Sequence, residues 1–239
     1  MGKIIKKLFL IFILTIPNTL YAQMFSVSER KEKINLSNNY LRIGTAISAF
    51  EYLGSLNEVE HELLEINKTI LGVSFETELV TTNITYGNSL FGIKNGRFID
   101  LNLILSQEVN IIQQRKINIG LPFELNGGIT SSNNELSKNN FHQNYYSAGS
   151  GIFVNIQPKK KININNHIVF GYGLSNSNSG FFGGTINYVK GGTRFNFINF
   201  MYEKNLSIGY DFIFRTYDIE GEIYDYEYKG HLITMGISF

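Results

Sequence analysis

Nine charged residues fall on the polar faces of segments in which alternate positions are apolar: Arg42, Glu76, Glu78, Asp100, Glu108, Lys116, Glu124, Asp211 and Arg215. They are spread over most of the chain, so only a closed fold brings them together. Inside one enclosure they support either of two chemistries. An acid-rich lining conducts cations. A paired lining, with each cation bridging carboxylates, locks strands in register, because an isolated buried charge costs several kcal/mol. Pairing is the expectation for an enclosure small enough to be filled by its own side chains. A narrow cation-preferring channel is the alternative.

A second group lies near the end of the chain, where acids alternate with tyrosines: Asp218, Glu220, Glu222, Tyr224, Asp225 and Tyr226. Carboxylate oxygens there are the ligand type for a divalent cation, and the tyrosine faces are platforms for a sugar. The spacing lacks the alternating Asp order and glycine of a calcium loop. The ordinary reading is an aromatic belt at a membrane boundary with solvated acids beyond it.

For catalysis the inventory is thin. His61, His142, His167 and His231 are scattered, and His61 with Glu65 supplies too few ligands for zinc. No Gly-x-Ser-x-Gly, His-Glu-x-x-His or phosphate-cradling loop occurs. The reading is a protein that is not an enzyme and needs no metal or cofactor, with an outer-membrane hydrolase as second alternative.

The elements that position these residues alternate with period two, the signature of strands. Leu41, Ile43, Thr45, Ile47 and Ala49 share one face, as do Ile99, Leu101, Leu103 and Leu105, and again Leu206, Ile208, Tyr210, Phe212 and Phe214. Ten glycines, among them Gly44, Gly72, Gly149, Gly171 and Gly209, fall on the opposite, polar parity. Glycine weakens a strand, so its recurrence on one face indicates crowding inside a tightly curved wall. Ten strands are expected, at 40–53, 69–78, 80–92, 97–109, 115–126, 145–157, 161–174, 191–203, 206–217 and 227–239. Merging the second and third leaves nine, and even parity then requires dropping another, which gives eight as the alternative. Short connections alternate with longer ones at 53–68, 127–144, 175–190 and 218–226, as in a barrel with short periplasmic turns and long outer loops. Leu56, Val59, Leu63, Ile66 and Ile70 recur at helical spacing behind a Ser55–Glu58 capping box, predicting a short helix in the first outer loop.

Composition sets the compartment. Of 239 residues 43% are hydrophobic and only 17% charged, and there is no Cys, which excludes a disulfide framework and a thiolate metal site. Lys3, Lys6 and Lys7 precede an apolar run from Leu8 to Ile16, and Ala22 precedes Gln23. This order predicts a signal peptide over 1–22, too short in its apolar core to span a membrane. Residues 23–39 then read as a periplasmic lead-in and 40–239 as the barrel. Loss of the three lysines turns the formal net charge of +1 into −2, so there is no basic excess to point to a nucleic-acid partner, and none is expected.

The last strand places Ile233, Met235, Ile237 and the final Phe239 on one face. This resembles the C-terminal signature of outer-membrane β-barrel proteins. With the signal peptide, the chain resembles the small barrels of the OmpA-like, OmpX-like or PorT-like kind. The resemblance implies an all-β, antiparallel, up-and-down transmembrane barrel in the outer membrane of a Gram-negative bacterium. It also implies recognition of the last strand by the barrel-assembly machinery, contact with outer-membrane lipid, and a protein partner at the outer loops. A secreted calyx of the lipocalin kind also alternates, but the inward glycines and terminal Phe favour the membrane version.

Overall fold

A computed structural model of the chain describes residues 39–52, 64–134, 140–177, 183–219 and 225–239. The expected signal peptide and lead-in lie outside these residues, apart from Asn39. Ten strands follow in order: β1 (Tyr40–Tyr52), β2 (Leu64–Glu76), β3 (Val80–Gly87), β4 (Gly96–Gln113), β5 (Ile117–Asn134), β6 (Asn140–Lys159), β7 (Ile162–Ser177), β8 (Gly184–Met201), β9 (Lys204–Ile219) and β10 (Tyr226–Ser238). Each pairs antiparallel with its sequence neighbour, and β1 closes on β10 from Tyr40↔Ser238 to Glu51↔Glu227. Closure removes every free sheet edge over the paired length, which is what lets strands cross lipid without unsatisfied backbone groups. The count is the expected ten.

Parity decides the two faces. Leu41, Ile43 and Ile47 on β1, Leu103 and Leu105 on β4, Phe170 and Tyr172 on β7, and Ile233, Met235 and Ile237 on β10 point outward and are exposed. Their partners in alternation, such as Arg42, Ala46, Ser48, Asn102 and Thr234, point into the barrel and are buried. An exposed apolar wall around a polar interior inverts the order of a water-soluble domain and is the order of a transmembrane barrel.

The inward glycines are sites of close approach. A Cβ on Gly171 would lie 2.1 Å from Cε1 of Tyr188, and one on Gly149 would lie 2.1 Å from its hydroxyl. The Tyr188 ring therefore lies flat over β6 and β7 in space that only glycine leaves open. At the short-turn end, β8 and β9 are joined by Tyr202 and Glu203 alone, with φ of 46° and 63°. Two left-handed residues make a type I′ hairpin, a geometry that normally selects Asn-Gly.

Three expectations change. Among the described residues there is no helix, and the C-terminal part of the expected Ser55–Ile70 helix is strand from Leu64 onward, paired with β1 through Ile70↔Ala46 and Ile66↔Phe50. Ile66 and Ile70 are four apart, a spacing that serves a strand face as well as a helix face, and the ladder with β1 decides it. The remainder, 55–63, lies outside the described residues. Second, the outer connections are shorter than read. β5 continues to Asn134 and β6 begins at Asn140, while β7 reaches Ser177 and β8 begins at Gly184. These Asn-, Ser- and Gly-rich ends keep their alternation, with Phe141, Tyr145 and Ile186 inward and buried. Third, the end of the chain read as an outer loop from 218 to 226 is partly strand: Asp218 pairs with Thr185 on β8, and Tyr226 opens β10 opposite Tyr217.

Candidate functional site

The lumen is stratified along the barrel axis. Nearest the short-turn end, Arg42 of β1 pairs with Glu76 of β2 and donates from Nε to Ser207 Oγ at 3.1 Å. Glu76 also lies 3.7 Å from Arg194 Nε on β8, and Arg194 Nη1 reaches Asp211 Oδ1 of β9 at 2.8 Å. Midway, Lys190 of β8 meets Glu124 of β5 at 2.5 Å. Above it, Arg215 of β9 reaches Asp100 Oδ1 of β4 at 2.6 Å, and Thr130 donates to the same oxygen at 2.7 Å. The Arg215 guanidinium also sits over the rings of Tyr145 and Tyr228, 4.9 and 5.1 Å from their centroids. Arg42 and Arg215 are each 1% exposed. These eight groups balance, with Arg42, Lys190, Arg194 and Arg215 against Glu76, Asp100, Glu124 and Asp211. A balanced, paired set meets the condition under which buried charges are tolerated.

The outer half of the lumen is aromatic. Phe50 packs against Phe98, Phe141 and Tyr226 at centroid distances of 5.9, 4.9 and 5.3 Å. Tyr226 stacks on Tyr217 at 4.1 Å, Tyr217 meets Tyr145 edge-on, and Phe98 stacks on Tyr228. Ile66, Ile70, Ile93 and Ile186 fill the gaps in the same buried cluster. Aromatic pairs contribute about 0.5–1.5 kcal/mol each beyond the area they bury, so a cluster drawn from seven strands is a substantial tie across the barrel.

Below the cluster is a cavity of about 200 Å³. Its lining includes Glu76, Glu78, Asp100, Glu108, Glu124 and Asp211, together with Lys190, Arg194, Arg215 and His167. Glu108 has lumenal parity on β4 but is solvent-exposed, so the cavity opens at the short-turn end as a vestibule.

The structure brings together Arg42, Glu76, Asp100, Glu124, Asp211 and Arg215 in the paired network. Glu78 and Lys116 do not sit on the wall. Both are exposed residues of short turns, β2–β3 and β4–β5, where the strand parity had already lapsed. Lys190 and Arg194 were missed by sequence reasoning, yet they neutralise three of the carboxylates. Their signal was available in the unbroken parity Ile186, Tyr188, Lys190, Gly192, Arg194 and Asn196, which continues through the stretch read as a loop. In the second group, Tyr226 is a buried lumen residue and not a loop or belt residue, Asp218 lies on the exterior of β9, and Asp225 is exposed just before β10. Glu220, Glu222 and Tyr224 lie outside the described residues. Ile233, Met235, Ile237 and Phe239 are all exposed on the outer wall, with Phe239 stacked on Phe75 at 5.5 Å. His142 is on the exterior of β6 opposite Ser131, and His167 lines the vestibule, so these two histidines do not share a site. Among the described residues no group of three or more His, Asp or Glu is placed to hold a metal ion.

No protein-family model matches the chain, and no curated protein matches it. Solved structures similar to it include the outer membrane protease OmpT of Escherichia coli, at 8% identity over 86% of this chain and 98% of that one, with a TM-score of 0.41. Ail, the attachment invasion locus protein of Yersinia pestis, is 11% identical over 85% of this chain and 100% of its own, with a TM-score of 0.28. The CymD monoaromatic hydrocarbon channel is 11% identical over 87% of this chain and 71% of its own, with a TM-score of 0.27. A protease, an attachment protein and a channel differ in role, and likeness this distant selects none of them. The chain has the architecture of an outer-membrane β-barrel, and that statement rests on its own closed register and inverted faces.

Proposed function

We propose that the protein is an integral outer-membrane barrel with a sealed lumen, acting through its outer end as a structural or interaction protein and not as a conduit or an enzyme. The aromatic cluster at the outer half of the lumen carries this reading: Phe50, Phe98, Phe141, Tyr217, Tyr226 and Tyr228 occupy the cross-section and are nearly inaccessible. The balanced ion pairs beneath support it, because a wetted conduit does not require each charge to be matched. β5 to β8 are 16 to 20 residues long, well past the ~10 a strand needs to span a bilayer, and their outer ends offer a rim for a partner. Export through the signal peptide over 1–22, insertion by the barrel-assembly machinery through Ile233, Met235, Ile237 and Phe239, and contact with outer-membrane lipid complete the reading.

The vestibule favours one rival, the cation-preferring channel, since its six acids outnumber its three cations. Planar-bilayer recording of the folded protein separates the two. A silent membrane, with insertion confirmed by heat-modifiable migration, is the expected result. Stable unitary steps with cation preference would reverse the assignment.

A further inference from the structure

We infer that the vestibule at the short-turn end is a binding site for a small organic ammonium ion of the size of a linear diamine, with Glu78 and Glu108 at its mouth and Asn102 at its inner end.

Charge is the first ground. Every other carboxylate of the cavity is paired with Arg42, Lys190, Arg194 or Arg215, but among the described residues no cation pairs with Glu78 or Glu108. The mouth therefore carries a net negative potential that the network inside does not neutralise. Walls of low dielectric focus such a field and concentrate cations at the opening.

Hydrogen bonding is the second, independent ground. Asn102 is 4% exposed, faces the cavity, and its Oδ1 has no hydrogen-bond partner among the described residues. Asp211, held by Arg194 through Oδ1, also lines the cavity with its Oδ2 unpartnered among the described residues. A buried acceptor left unsatisfied is destabilising, and a donor brought by a ligand recovers that cost. An ammonium group is all donor.

Shape selects the ligand class. Among the described residues no cluster of three acids converges on one point, which disfavours a bare divalent ion. Ala46, Ile104 and Leu232 form an apolar part of the lining among its polar and charged groups. A chain of methylenes flanked by ammonium groups suits a lining that holds unpaired acids, an apolar part and an unsatisfied acceptor. The volume of about 200 Å³ exceeds the roughly 150 Å³ of an apolar cavity that accepts benzene, so a four-carbon diamine fits.

The site does not depend on the seal at the outer end, because Glu78, Glu108, Asn102 and Asp211 are not members of the aromatic cluster. The test is calorimetry of the purified, folded full chain in detergent with 1,4-diaminobutane. Saturable binding is expected, tighter than that of butylamine, and weakened about threefold by Glu108→Gln and again by Glu78→Gln, the scale of one exposed ion pair lost. Both side chains are exposed and unpaired, so heat-modifiable folding should be intact in each variant. Absence of saturable heat, wild-type affinity in both variants, or equal displacement by potassium ion at the same concentration would each overturn the assignment.

Discussion

Replacing Arg215 by methionine removes the cation that neutralises Asp100 while keeping most of the side-chain volume. At the Nη1–Oδ1 separation of 2.6 Å and an effective dielectric of ~20, the direct attraction is about 6 kcal/mol. Desolvation of two buried ions takes back most of that, so the intact pair contributes little net stability. Removing one partner is different. Asp100 is left buried with only the Thr130 hydroxyl at 2.7 Å to compensate it, and the penalty for such an orphaned charge is about 3–5 kcal/mol. Loss of the guanidinium from the Tyr145 and Tyr228 faces, 4.9 and 5.1 Å away, adds about 0.5–2 kcal/mol. Arg215→Met should therefore destabilise the barrel by about 4 kcal/mol, while the double variant Arg215→Met with Asp100→Asn should recover at least half. The assay is urea unfolding in detergent or vesicles, followed by tryptophan-free tyrosine fluorescence and gel migration. A single variant that loses less than about 1 kcal/mol, or a double variant no more stable than the single, would refute the account of a locked network and indicate water around Asp100.

Further outcomes follow from the wall and the turns. Leu105 lies near the middle of the apolar outer face of β4, so Leu105→Lys should cost about 2–4 kcal/mol in lipid and much less in detergent, measured by unfolding in each. Gly171→Ala drives a Cβ into the Tyr188 ring and should cost about 1–3 kcal/mol; in a Tyr188→Leu background the same change should be nearly neutral. Tyr202→Asn combined with Glu203→Gly fits the left-handed turn and should stabilise the barrel by about 1 kcal/mol or more, read as a higher urea midpoint.

What the sequence disclosed and what it hid separate along a physical line. Alternation is a local property, so the outward set from Leu41 to Ala49 and from Ile99 to Leu105, the inward glycines, and the tenfold strand count were all legible. The outer ends of the strands were not. Gly127-Gly128 and Ser131-Ser132-Asn133-Asn134 have the composition of a turn, and only ladder bonds to β4 and β6 hold them extended. The inward acids Glu76, Asp100, Glu124 and Asp211 were legible because they interrupt apolar runs. Arg42 and Arg215 were legible in the same way, but which cation meets which acid was not, because Arg215 and Asp100 are 115 residues apart and meet across the lumen, which depends on how the ring closes. Glu78 and Lys116 mark the limit of parity: it continues on paper through a turn whose backbone has already left the wall. Tyr226 was read as a belt residue because aromatic girdles are expected of any barrel, whereas here the largest aromatic cluster is inside.

The most direct measurement exploits the absence of cysteine from the chain. Ser106 is a lumenal residue of β4 lining the vestibule below the aromatic cluster, and Ser106→Cys introduces a single thiol there. A membrane-impermeant maleimide applied to intact cells should leave it unlabelled, and the same reagent applied after the outer membrane is osmotically opened should label it fully. Rapid labelling from the outside of intact cells would contradict a lumen sealed at its outer end.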